Sequence, residues 1–204
     1  MRPLLACLAI ALGVLGVPAE AHAHLVDTRL GDFYGGMLHP LTGLEDLLPW
    51  LGLAILAGLQ GPKNARWLVA VFPVGLLAGG GLSLLFPGLP PLPWVGVALS
   101  AIMGIAVATA FVLPLSGLIA LGAVVALATG YQNARAMPGL ADLLLFIAGV
   151  TAIGYVFMTL AIAGLTTFLH GGQAWRRIAA RAGGSWVAAI SIMALGLQLF
   201  RPTL

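Results

Sequence analysis

Apolar residues in this chain run in long unbroken blocks, parted by short breaks of proline, glycine or charge. Barrel strands would alternate apolar and polar positions in segments of about ten, and these blocks are apolar on all sides. Residues 67–134 contain no Asp, Glu, Lys or Arg, and at about 20 residues per crossing helix that stretch holds about three passes through a bilayer. The pattern predicts six spanning helices, at about 40–60, 66–86, 94–112, 115–131, 141–169 and 184–200. Lys63 and Arg66 mark the first break, and PGLPPLP at 87–93 the second. Pro114 to Gly117 makes a tight hairpin. Gln132, Asn133 and Arg135 with Met137-Pro138-Gly139 form a polar loop, and His170, Arg176, Arg177 and Arg181 another. Pro49 is expected to kink the first span.

The first 21 residues have a different pattern. Arg2 is a brief positive start, and Leu4 to Val17 is an apolar run that Pro18 ends. Such a run suits a secretory signal better than a span. Ala19-Glu20-Ala21 fits the cleavage site, with Ala21-His22-Ala23 as a second choice. The expectation is therefore a signal peptide over 1–21 and a single transmembrane domain over 22–204. The single cysteine, Cys7, lies in that leader, which leaves no disulfide and no cysteine metal cluster. LLAC at 4–7 sits too close to Met1 for a lipoprotein box.

Composition sharpens the class. The chain is 61% hydrophobic and 7% charged, against about 25% charged in soluble domains. A net charge of +3 is too small and too scattered for nucleic acid and reports topology instead. With residue 22 outside, Lys63, Arg66, Arg176, Arg177 and Arg181 fall on the cytoplasmic side, as the positive-inside tendency requires. Arg135 and Arg201 fall outside. Both termini are then outside, in the inner membrane of a bacterium. Small residues four apart, such as Gly75 with Gly79 and Ser100 with Gly104, point to close helix packing. A homo-oligomer stays open.

The dense chemistry lies in HPLTGLED at 39–46. Ionisable groups in a span are costly and mark function by default. Pro40 suits a first helical position, with His39 at the helix mouth. Residues seven apart share a helix face, so His39 and Asp46 pair, with Glu45 beside them. Asp32 joins only if the helix starts earlier. One imidazole with carboxylates is a mixed nitrogen and oxygen site for a divalent nickel, cobalt or zinc ion, and a weak open site lets an ion leave again. The bland reading is that Glu45 and Asp46 simply complement a helix N-terminus. His22 and His24 would begin the mature chain and offer further metal ligands, or a solvated tail. His170 complements a helix end, a membrane thickness from His39, so no haem clamp joins them. Thr129, Tyr131, Gln132 and Asn133 end the fourth span and line an entrance or anchor the interface, Asp142 reads as a first-turn carboxylate, and Arg135 as a solvated loop charge or a partner of Asp142. No phosphate loop, nucleophile elbow or HExxH occurs, and no enzyme is expected.

These residues also resemble a family. The leader, the AHAH start, GDFYGGMLHPLTGLEDLL and six spans in a small chain are similar to the HupE/UreJ membrane proteins. The resemblance implies a nickel or cobalt permease linked to hydrogenase and urease maturation. The family's first-span pattern is roughly HPxxGxDH. His39, Pro40 and Gly43 match, Glu45 replaces the aspartate and Asp46 the second histidine. In TGYQNARAMPG, Thr129 and Asn133 stand at family histidines and Ala136 at the family acid, while Gly130, Tyr131, Met137 and Pro138 fit. The implied metal residues are His39, Glu45 and Asp46. The expected function is a secondary permease for Ni2+ or Co2+ as cargo, with no permanently bound cofactor. The alternative is a non-transporting scaffold or accessory protein for metalloenzyme maturation, and a third reading is a proton-coupled carrier.

Overall fold

The computed structural model describes residues 29–87, 93–135 and 140–199, and every regular element in them is helical. In chain order the helices are α1 Arg29–Thr42, α2 Leu44–Leu59, α3 Pro62–Leu85, α4 Pro93–Ala108, α5 Leu115–Arg135, α6 Leu140–Leu169 and α7 Ala174–Leu199. Among the described residues, four regions are long and apolar enough to cross a membrane: α3, α5, α7 and Leu143–Leu169 of α6. Taken together, α1 and α2 qualify as a fifth, bent by 72° at Gly43. The sixteen residues of α4 reach about 24 Å, short of a hydrocarbon core of about 30 Å.

The expected boundaries shift in four places. The span expected at about 40–60 does not begin at Pro40. A separate helix, α1, precedes it, and Pro40 lies inside that helix, near its C-terminus. The helix expected to reach residue 112 stops at Ala108, because Ala110 turns to a φ of 58° and ends it. Arg176, Arg177 and Arg181 lie in the opening turns of α7, not in a loop. Gln132, Asn133 and Arg135 belong to α5. The leader, His22, His24 and the prolines at 88–92 lie outside the described residues.

The bundle is built around α2, which touches each of the other six helices. Its residues Trp50, Leu53, Ala54, Leu56 and Ala57 are buried in one continuous core. The Trp50 ring stands edge-on to Phe72 at 5.4 Å, and Phe157 lies at 5.6 Å. Around this axis the outer helices associate mainly as α3 with α5, α4 with α7 and α1 with α6.

Lipid tails are as apolar as leucine, so burial alone does not drive helices together in a bilayer, and close packing of small residues does. Each outer pair has a reciprocal glycine contact. A Cβ on Gly79 would strike the Leu127 carbonyl, and one on Gly130 would strike Leu76. Gly36 meets the Phe146 carbonyl while Gly149 meets that of Phe33. Gly104 and Gly184 each face the other's carbonyl, at 2.8 and 3.2 Å from the added Cβ. The α4–α7 crossing also carries a buried hydrogen bond between the Ser100 and Ser191 hydroxyls, 2.8 Å long. The four-residue spacing of Gly75 and Gly79 is thus a packing feature, since both abut α5.

Gly130→Ala should force α3 and α5 apart and cost about 1–3 kcal/mol. Gly164→Ala, where an added Cβ meets nothing within 4 Å, should be neutral or stabilising through helix propensity. Thermal unfolding of the detergent-solubilised protein distinguishes the two.

Candidate functional site

The site begins at a helix break. Gly43 is the one non-helical residue between α1 and α2, with φ −93° and ψ 123°. Helix ends leave backbone groups unbonded, and local bonds meet part of that need here. The Thr42 hydroxyl donates to the His39 carbonyl at 2.9 Å, and the Gly43 amide donates to the same oxygen at 3.3 Å. The Asp46 and Leu47 amides donate to the Gly43 carbonyl at 3.3 and 3.0 Å. The negative C-terminus of α1 and the positive N-terminus of α2 therefore meet at one residue. Glu45 and Asp46 occupy the first turn of α2.

Those two neighbouring carboxylates differ sharply. Glu45 is exposed and folds back over Gly43, where a Cβ would lie 3.0 Å from its Oε1. Asp46 is 6% exposed. The Asn133 Nδ2 donates to Asp46 Oδ2 at 2.9 Å and to the Thr129 carbonyl at 3.0 Å. A carboxylate only accepts, which fixes the amide with its NH2 towards Asp46. The Asn133 Oδ1 is left buried, with no hydrogen-bond partner among the described residues. A buried acceptor without a donor is uncommon in native structures and calls for an explanation.

Pro49 adds a further oxygen. It lies inside α2 and has no N–H to bond the carbonyl four residues back, that of Glu45. Gly96 of α4 packs there, with an added Cβ 3.0 Å from the Glu45 oxygen. One turn deeper the Trp50 Nε1 is buried and unpartnered among the described residues. It is a donor only and cannot ligate a cation.

The histidine is placed differently from the sequence expectation. His39 lies on α1 and Asp46 on α2, so the bend at Gly43 removes the shared helical face. Asp32 and His39, seven apart on α1, keep theirs. The His39 side chain is exposed, and its ring meets Phe146 edge-on at 5.6 Å. His170 follows α6, twenty-four residues beyond Phe146, or about 36 Å along that helix. Among the described residues no three His, Cys, Asp or Glu side chains converge to hold a metal ion. Asp46 is joined instead by Asn133, which the sequence marked only as a polar helix end at the position of a family histidine.

Comparison with known proteins adds to this geometry. The family model described as HupE / UreJ protein matches residues 10–197. Protein HupE of Rhizobium leguminosarum bv. viciae is 28% identical over 186 residues, covering 91% of this chain and 95% of that protein. No solved structure matches.

Asn133→Leu should destabilise the protein by about 1–3 kcal/mol, because it strands a buried carboxylate. The double variant Asp46→Leu with Asn133→Leu should recover most of that loss, since removing both partners is nearly neutral. Unfolding midpoints of the four proteins in this cycle measure the coupling.

Proposed function

Because the chain belongs to the HupE / UreJ family, we propose that it is a secondary permease for a divalent transition-metal cation, nickel or cobalt first. The observation that carries this reading is the Asp46 carboxylate, held by Asn133 inside an apolar bundle beside a broken helix. Transporters commonly place ion sites at discontinuous helices, where helix ends and freed carbonyls supply charge and oxygen. Non-helical backbone at membrane depth is tolerated where it is buried in protein or lines a cavity.

In this proposal the ion meets the exposed groups first. His39 and Glu45 capture it at the mouth, with His22 and His24 of the mature N-terminus ahead of them. Asp46 then takes it at the entry to the bundle, with the free Asn133 Oδ1 and the Glu45 carbonyl as candidate neutral oxygens. An oxygen-rich set binds nickel or cobalt more weakly than imidazoles do, and weak binding suits an ion that has to leave. The same proposal includes a cleaved leader over 1–21, six crossings, both termini outside and an inner-membrane location. The short α4 and the bent α1–α2 pair supply the two crossings that fall outside the four long spans. No enzymatic role is proposed.

One observation favours a second reading, the absence of three convergent ligand side chains among the described residues. In that reading the chain is a non-transporting accessory protein for metalloenzyme maturation that retains the bundle.

Liposomes containing the purified protein should accumulate Ni2+ or Co2+. Asp46→Asn should lower the initial rate by about tenfold or more, the equivalent of ~1.4 kcal/mol, and His39→Ala should raise the half-saturating concentration with a smaller effect on maximal rate. Equal uptake by the wild type and Asp46→Asn would discard the role of Asp46. No uptake by the wild type, with a stoichiometric protein partner retained in purification, would favour the accessory reading.

A further inference from the structure

At the end of the bundle away from Asp46 lies a cavity of about 160 Å³. The C-terminus of α2, the α4–α5 connection and the opening turns of α7 enclose it. Its volume equals about five water molecules' share of the liquid. Leu56, Leu59 and Val107 form apolar wall, and Gln60, Arg177 and Arg181 form polar wall. Both polar atoms of the Gln60 carboxamide are closed to solvent and unpartnered among the described residues.

The backbone around this cavity is otherwise well satisfied. At the end of α4 the Phe111 amide bonds the Ala106 carbonyl at 2.8 Å and the Ala110 amide bonds Val107 at 3.0 Å, around the left-handed Ala110. This is the Schellman arrangement. The Arg181 Nε and Nη2 cap the remaining Ala108 carbonyl at 2.9 and 2.8 Å. That cap fixes one guanidinium at the cavity, with N–H groups to spare. The Arg177 side chain is exposed and has no hydrogen-bond partner among the described residues.

Charge at this end is of one sign. Lys63, Arg66, Arg176, Arg177 and Arg181 all lie in or beside the turns that close it, and no Asp or Glu occurs at 47–141 or after Asp142. No carboxylate of α2's C-terminal half, of the α4–α5 connection or of the α6–α7 turn exists to neutralise these arginines. Beside the cavity Phe111 and Val112 are exposed apolar side chains on the connection, as suits a loop seated at the boundary between headgroups and acyl chains.

From an apolar floor, two guanidiniums and no nearby acid, we propose that the cavity seats the headgroup of an anionic phospholipid of the leaflet on that side. Its phosphate lies on Arg177 and Arg181, since guanidinium groups match phosphate geometry. An acyl chain runs along Leu56 and Leu59. Anionic lipid headgroups attract basic clusters at a membrane surface. This inference is independent of the metal-permease proposal.

The test uses the full-length protein, delipidated in detergent, with phosphatidylglycerol, phosphatidylcholine or inorganic phosphate added separately. Phosphatidylglycerol at a hundredfold excess over its Kd should raise the unfolding midpoint by about 5–10 °C. Arg177→Gln should lose most of that rise, and it removes no hydrogen bond among the described residues. An equal rise with phosphatidylcholine would overturn the headgroup assignment. An equal rise with inorganic phosphate would overturn the lipid in favour of a free anion. An undiminished phosphatidylglycerol response in Arg177→Gln would overturn the site.

Discussion

In hydrocarbon a polar group has no water to turn to, and that constraint orders this molecule. Backbone groups are satisfied within helices, and the helices are then joined by contacts that need almost no side chain. The reciprocal glycine contacts of α3 with α5, α4 with α7 and α1 with α6 bring carbonyls against the places where Cβ atoms would sit. These pairs surround α2, which meets them all. A helix enclosed in this way can carry a group that lipid would reject, and α2 carries Asp46.

The carboxylate and the helix break belong together. A continuous helix through 39–46 would set His39 above Asp46 and leave fewer backbone groups free. The bend of 72° sends the imidazole outward and leaves the carboxylate inside, so two residues of one sequence motif face different surroundings. Glu45 and Asp46 show the same division at adjacent positions, one exposed and one buried. The inside face is completed from α5, through Asn133.

Much of the fold was legible because a bilayer imposes simple rules on length and apolarity. The blocks that became α3, α5, α6 and α7 declared themselves by the absence of charge. α1 did not, since Gly31, Gly35 and Gly36 dilute its apolar pattern and Pro40 fits a helix start better than a helix end. Arg176, Arg177 and Arg181 read as loop because interfacial helix turns and loops accept the same charges. The candidate site was legible in part. Asp46 stood out as an ionisable residue in an apolar run, but its partner is 87 residues away. An asparagine at a helix end has many ordinary roles, so only its correspondence to a family histidine drew attention to Asn133.

The distance in sequence between Asp46 and Asn133 also bears on how the chain is made. Synthesis at 5–20 residues per second separates the emergence of the two side chains by about 4–17 s. During that interval α2 has left the ribosome without the amide that will receive its carboxylate. The hydrogen bond that holds Asp46 therefore closes only once the end of α5 has arrived.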